Sequence, residues 1–400
     1  MTFRDLLPSR RVFLLAAATA VLLFVAYPPA SLVLPSFVCL VPFLWWLQER
    51  VSGAGFQVPG ADPPGTRHPA PGTFWTGFWF GSIAHGTVLH WMVVALWHFT
   101  PLSGLGYLAS VLLALGPLWG LMAVLLDRLE RRTSIPLWVS FPLLWTASEW
   151  LVGHLGDLRF PWLGLGTSLT RAPLLVQWAD LAGARGVTLW LAWANVMVVL
   201  ALRARSIPRA ARPAGLLALS VLAAAGYGAW RERTLVLRPA TTVAALQPNV
   251  DYEEKRRNRD NDSLVAALLD LTRRARRDPA VRLVVWPEAV VPNFFHLRPD
   301  WEAAIGAVAS ELRTPLLVGG LDVVFAPDRS YQYFNSAFYF DTTGSARNEP
   351  VYHKRYLVPI VERVPFLNPA WFGDLRFFGG ASVGRVFRST GCRRAAASGC

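Results

Sequence analysis

Glu288 and Lys354 are the two residues whose types and settings point most directly to chemistry. Residues 282–288, Arg-Leu-Val-Val-Trp-Pro-Glu, read as a short buried strand that delivers one carboxylate at its end. Lysine is nearly absent, since Lys255 and Lys354 are the only lysines among 39 lysines and arginines. Arginine thus serves almost everywhere that a bare positive charge is enough. Arginine keeps its proton, whereas a lysine offers a compact ammonium that can meet a developing oxyanion and whose pKa responds to burial. Lys354 is a candidate for chemistry on that ground. A surface lysine beside Arg355 is the competing reading, and these residues alone leave both open.

The elements that must carry this pair divide by composition. Hydrophobic residues make up 53% of the chain and charged residues 16%, with 18 tryptophans and a mean hydropathy of +0.34. The apolar excess falls in residues 1–231, which are too apolar for a water-soluble domain. Apolar runs long enough to cross a bilayer lie near 11–27, 31–47, 74–97, 104–126, 135–152, 186–202 and 214–230, so about seven spans are expected. The first run follows Arg10 and Arg11 as a signal peptide would. Its Tyr27-Pro28-Pro29 exit has no small-x-small cleavage pattern, and a second span follows at once, so it reads as a retained helix.

Arginine placement orients these spans. With a cytoplasmic amino terminus, the inner segments carry Arg4, Arg10, Arg11, Arg50, Arg67, Arg128, Arg131, Arg132, Arg203, Arg205, Arg209 and Arg212, while outside residues 98–103 carry none and the longer 153–185 segment carries Arg159, Arg171 and Arg185. That asymmetry satisfies the positive-inside rule. An odd number of spans then puts residues 232–400 on the far side of the membrane. The net charge of +13 needs no nucleic acid to account for it, because much of it faces anionic lipid headgroups.

Polar residues inside the spans are few. His85 and His90 are five residues apart, on different faces of a helix, which argues against a shared metal and for inward hydrogen bonding, with a place on a substrate path as the alternative. Glu149 reads as an ordinary interfacial carboxylate beside Trp150, and Asp180 as a solvated loop residue. Cys39 is a small packing residue within a span, while Cys392 and Cys400 fall where disulfides can form, and a bridge between them is the simplest reading of that pair. No metal-ligand spacing occurs, so neither metal nor cofactor is expected.

Beyond residue 240 the period changes to strands alternating with helices. Residues 241–249 read as a strand ending in a turn, and 251–277 as an arginine-rich helix with an apolar stripe at Leu264, Leu268, Leu269 and Leu271. A helix near 300–313 and strands near 314–324, 332–341 and 349–355 follow, with a Thr342-Thr343-Gly344 turn between the last two. Alternation followed by adjacent strands argues for an α/β sandwich.

Taken together, Gln247-Pro248-Asn249, Trp286-Pro287-Glu288-Ala289, Tyr352-His353-Lys354-Arg355-Tyr356-Leu357-Val358-Pro359, Glu362 and Val364-Pro365 resemble the nitrilase-superfamily domain of the apolipoprotein N-acyltransferases. Phe160-Pro161-Trp162-Leu163-Gly164-Leu165-Gly166 and the multi-span first half are also similar to that family. The resemblance implies a multi-pass α-helical membrane domain over 1–231 followed by a nitrilase-like αββα sandwich over 232–400. It also implies a longer carboxy-terminal domain with one more span, so the sandwich is expected to be incomplete here.

The resemblance further implies a Glu-Lys-Cys triad. Glu288 would be the base, Lys354 the oxyanion donor and Glu362 an orienting carboxylate, while Cys400 falls where the family's nucleophile belongs and Cys392 is a poorer match. Where the family has Phe-Gly-Glu, this chain has Ile360-Val361-Glu362, which alters the loop backbone. The implied reaction moves an acyl chain from a phospholipid, through a thioester, to the amino group of a diacylated lipoprotein. The implied setting is a bacterial inner membrane with the nitrilase-like domain periplasmic and the protein monomeric. Trp75, Trp79 and Trp91 could line a lateral lipid entry or serve packing and interface roles. A membrane-tethered amidase and an inactive remnant are the alternatives.

Overall fold

The computed structural model describes residues 7–53, 72–97, 103–250, 261–325, 327, 331–346, 348, 350–358, 362, 382 and 384. The chain forms two compact units, Met1–Val236 and Leu237–Cys400.

The first unit is helical: α1 Arg10–Ala26, α2 Val33–Ser36, α3 Val41–Gly53, α4 Thr73–Val88, α5 Trp91–Trp97, α6 Ser103–Ala109, α7 Gly116–Arg132, α8 Leu137–Val152, α9 Pro173–Val176, α10 Ala179–Leu202 and α11 Ile207–Thr234. A π-helical turn, Ser110–Leu115, joins α6 to α7 without a break. Among the described residues, three helical stretches are long and apolar enough to cross a membrane: Gly104–Arg132, Ala179–Leu202 and Ile207–Thr234. The other expected spans appear as shorter helices, α1 and α8 having 17 and 16 residues.

Two expected spans are interrupted, for visible reasons. The 31–47 run breaks after Ser36, and Asn195 of α10 satisfies the backbone freed there. Its Oδ1 accepts from Leu40 N at 2.8 Å, and its Nδ2 donates to Ser36 O at 3.0 Å and to Leu191 O at 2.8 Å. Such repair is what an apolar surrounding demands of a broken helix. The 74–97 run ends its first helix at Val88, and α5 resumes at Trp91.

Helices α4 and α7 cross closely because a Cβ on Gly77 would stand 2.6 Å from the Trp119 carbonyl oxygen, and one on Gly120 would stand 2.8 Å from the Phe74 carbonyl oxygen. Small residues at a crossing let backbones approach, the usual device of membrane helices. Around this crossing Phe43 packs on Phe80 and Trp119 with ring centroids 5.2 and 5.1 Å apart, and Trp119 meets Trp145 at 5.1 Å.

Glu149 departs from the expectation of an ordinary interfacial carboxylate. Its side chain is 10% exposed, because the Pro161–Leu169 segment folds back over the last turn of α8. Oε1 accepts from Trp145 Nε1 and Leu165 N, both at 2.8 Å, while Oε2 accepts from Arg185 Nη1 at 2.7 Å and Thr188 Oγ1 at 3.0 Å. Asp180 is exposed, as a solvated loop residue would be, and is also held by Arg231 Nε at 2.7 Å and the Tyr227 hydroxyl at 3.0 Å.

The second unit is a six-stranded sheet with helices α12 Asp262–Ala275 and α13 Pro299–Leu312. Its strands are β1 Thr242–Ala245, β2 Val281–Val285, β3 Val291–Phe294, β4 Leu316–Phe325, β5 Tyr331–Phe340 and β6 Tyr352–His353. The order is β1-β2-β4-β5-β6, with β3 also paired to β4. The first pairings are parallel, and β4-β5 and β5-β6 are antiparallel.

Strand alternation sorts the two faces of this sheet. Leu316, Val318, Phe338 and Phe340 turn to one face and form a core with Leu264 and Leu268 of α12 and Trp301 and Ile305 of α13. Trp286, just past β2, is buried there and donates to Thr272 Oγ1 at 3.0 Å. The odd positions of β5, Asn335 among them, therefore face the other way, and the site is built on that face. Strand β3 did not stand out in the sequence, since Pro292 and Asn293 interrupt its pattern.

Candidate active site

Glu288 lies in the turn after β2, where the chain passes over β4. A Cβ on Gly319 would lie 2.1 Å from the Pro287 carbonyl oxygen and 2.9 Å from the Glu288 Cα, so only glycine permits that passage. Lys354 follows β6 directly and is fixed by its own backbone: its N–H donates to Asn335 O at 2.7 Å and its carbonyl accepts from Gly384 N at 2.9 Å. Alternation puts His353 on the core side with Phe334, whose ring it stacks at 4.1 Å, and thereby turns Lys354 toward Asn335.

The side chains converge. Lys354 Nζ donates to Glu288 Oε1 at 2.8 Å and to Glu362 Oε1 at 2.9 Å. Asn335 Nδ2 donates to the same two oxygens, at 2.6 and 3.3 Å. Glu362 Oε2 accepts from Val358 N at 2.7 Å, and Glu362 N donates to Val358 O at 3.0 Å. A single ammonium thus bridges two carboxylates that one amide also ties together.

The two carboxylates are not equivalent. Glu362 is 20% exposed and both of its oxygens are occupied, which suits it to hold Lys354 rather than to move protons. Glu288 is 63% exposed, and its Oε2 makes no hydrogen bond among the described residues. That oxygen can take a proton. The Lys354 hydrogen bond, joined by that of Asn335 and working against partial burial, holds the Glu288 carboxyl below its ordinary value. Burial would lower the Lys354 pKa, but hydrogen bonds to Glu288 and Glu362 overcome it and raise the pKa. Lys354 is therefore an ammonium with three N–H donors, two of them engaged among the described residues.

The structure brings together Glu288, Lys354 and Glu362. Cys392 and Cys400 lie outside the described residues. Asn335 was missed by sequence reasoning, although an asparagine in the middle of a strand was a signal, since strands disfavour that residue. Among the described residues no cluster of His, Cys, Asp and Glu could hold a metal.

This arrangement can be set beside known proteins. Residues 19–197 match the family described as the apolipoprotein N-acyltransferase N-terminal domain, and residues 242–398 match the carbon-nitrogen hydrolase family. The chain is similar to the apolipoprotein N-acyltransferases along most of its length. It is 27% identical over 391 residues to the apolipoprotein N-acyltransferase of Geobacter metallireducens, covering 95% of this chain and 71% of that one. It is 30% identical over 317 residues to that of Pseudomonas putida, covering 76% and 59%. With that of Pseudomonas paraeruginosa the identity is 31% over 335 residues, covering 78% and 60%. The chain thus spans about three fifths of the length of its Pseudomonas relatives. Glu288, Asn335, Lys354 and Glu362 all fall within the portion that matches the carbon-nitrogen hydrolase family, and His85 and Glu149 within the other matched portion.

Proposed function

We propose that the protein transfers an acyl chain from a membrane phospholipid to the terminal amino group of a diacylated lipoprotein, by way of a cysteine thioester. The observation that carries this reading is the Lys354 ammonium between a saturated and a half-free carboxylate, on a carbon-nitrogen hydrolase sheet joined to the family's helical domain. About seven spans, an inner-membrane location, a cytoplasmic amino terminus and a periplasmic sheet domain belong to the same proposal, and both substrates would then reach the enzyme within the bilayer.

Cys400 is the proposed nucleophile. Glu288 Oε2 takes the thiol proton, and the sulfur attacks the ester carbonyl carbon of the phospholipid. The oxyanion that forms is met by the third N–H of Lys354. Collapse expels the lysophospholipid alkoxide, which recovers the proton from Glu288 and leaves an acyl thioester. The lipoprotein amine then attacks the thioester, Glu288 takes a proton from the nitrogen, and the departing thiolate is reprotonated from Glu288. Glu362 and Asn335 keep the base and the ammonium in register throughout.

The test is expression of the full chain in bacteria depleted of their own N-acyltransferase, with the mass of a lipoprotein's amino-terminal peptide as the readout. An added acyl mass that is lost in Glu288→Gln, Lys354→Ala and Cys400→Ser supports the proposal. Ammonia release from amides without acyl addition would replace it with the tethered-amidase reading.

A further inference from the structure

We propose that His353, clasped to Asp322 across β5, is a positioning residue that sets the aim of the Lys354 ammonium. The inference rests on the catalytic reading of Lys354 given above and adds the device that holds that side chain in place.

The strand that delivers Lys354 is short. Strand β6 has two residues, Tyr352 and His353, which pair with Ala337 and Ser336 of β5. Ladder bonds alone specify the register of so short a strand weakly, and a slip of one residue turns every side chain to the opposite face. Lys354 would then point into the core, away from Glu288 and Glu362. A contact on the core face that only His353 can make would prevent this.

The structure has such a contact. Asp322 of β4 pairs with Phe334 of β5, and Ser336 of β5 pairs with His353 of β6, so by alternation Asp322, Phe334, Ser336 and His353 share one face. Nε2 of His353 lies 2.7 Å from Oδ2 of Asp322. A carboxylate only accepts, so Nε2 carries the proton. This bond passes over β5 and ties the two-residue strand to β4, a ten-residue strand with partners on both edges. The imidazole is also stacked on Phe334, with centroids 4.1 Å apart and planes within 8°. Stacking fixes the plane of the ring and the hydrogen bond fixes its rotation within that plane.

Burial gives the clasp its force. Asp322 is 3% exposed, and its Oδ1 accepts from Val323 N at 2.8 Å. A buried carboxylate is costly unless its oxygens meet donors, so any register that withdraws the His353 N–H from Oδ2 is penalised. The pair lies on the face opposite the Lys354 side chain and acts on it through the backbone. Catalytic groups hold their geometry when their supports are locked to rigid elements in this way.

The scarcity of lysine supplies the test. Lys255 and Lys354 are the only lysines, so the amine reactivity of Lys354 can be assigned by peptide mass. The full chain in detergent is labelled with trace acetic anhydride in mild alkali, against added N-acetyl-lysine as the reference. In wild type the two carboxylates keep Lys354 protonated, so it should react more slowly than the reference. His353→Phe keeps a ring on Phe334 and removes the donor; Lys354 should then react severalfold faster, and kcat for acyl transfer should fall about 10²-fold, the effect of misplacing a catalytic group. His353→Gln, whose amide can still donate to Asp322, should restore both. His353→Phe also leaves a buried carboxylate unpaired. The double variant His353→Phe/Asp322→Asn removes that charge, keeps an acceptor for Val323 N, and should regain the melting temperature without regaining slow labelling. A role confined to stability would restore both together. Wild-type labelling in either folded variant that lacks the imidazole donor, or fast labelling in His353→Gln, overturns the proposal. Labelling needs no turnover, so it decides the aim of Lys354 even if wild type transfers no acyl chain, a result that would overturn the functional reading alone.

Discussion

Two glutamates on one lysine divide their labour through their remaining bonds. Among the described residues both oxygens of Glu362 are engaged and only one of Glu288 is, and this difference predicts distinct phenotypes. Glu288→Gln removes the base and should slow acyl transfer by about 10²–10⁴-fold. Lys354→Ala should cost about 10²–10³-fold, the usual effect of deleting an oxyanion donor. Both are read as rates of acyl addition to a lipoprotein peptide. The ion pair also has a pH signature. Glu288 is depressed below its ordinary value of 4.5, so its contribution to stability is complete above that value and is lost as pH falls through the lower folded value. The melting temperature of wild type should exceed that of Glu288→Gln at pH 7, and the gap should close in acid. Lys354 is raised above 10.5, so its contribution holds below that value and fades as pH rises through the higher folded value.

Single atoms decide whether the elements fit. Gly319→Ala would drive a methyl into the Pro287 carbonyl, and the strain should cost about 1–3 kcal/mol and displace Glu288. Lower melting together with lower activity, in a variant that changes no charged group, is the expected result. In the helical unit, Glu149→Ala leaves Arg185 and Thr188 without their shared acceptor and frees the Leu165 N–H. The expected cost is about 1.5–3 kcal/mol, read as thermal stability in detergent. The sequence made such roles partly legible. Strand β5 and helix α13 followed from period and end signals, and Glu288 and Lys354 from the strand context and the scarcity of lysine. Asn335 and the burial of Glu149 did not, because each depends on a partner distant in sequence, Glu288 for one and the Leu165 backbone for the other. The breaks at Ser36 and Val88 were hidden for a related reason: hydropathy reports how apolar a run is, not whether its backbone is continuous.

For the molecule as a whole, the proposed orientation makes a prediction about access. Arg203, Arg205 and Arg209 would lie on the cytoplasmic side and Arg238 and Arg282 on the other. Trypsin added outside spheroplasts should cut beyond residue 236 and spare the connection between α10 and α11 until the membrane is opened. The reverse pattern would invert the topology and leave the folds of both units untouched.

The reactive face of the sheet comes from parts of the chain that are far apart, the turn at Glu288, the middle of β5, the residue after β6 and Glu362. During synthesis the base emerges first and the ammonium 66 residues later. The early segment can form its strand and its helices before the ammonium that holds the Glu288 carboxylate has been made. The Glu288–Lys354 pair can therefore close only after the late strand has docked on β5.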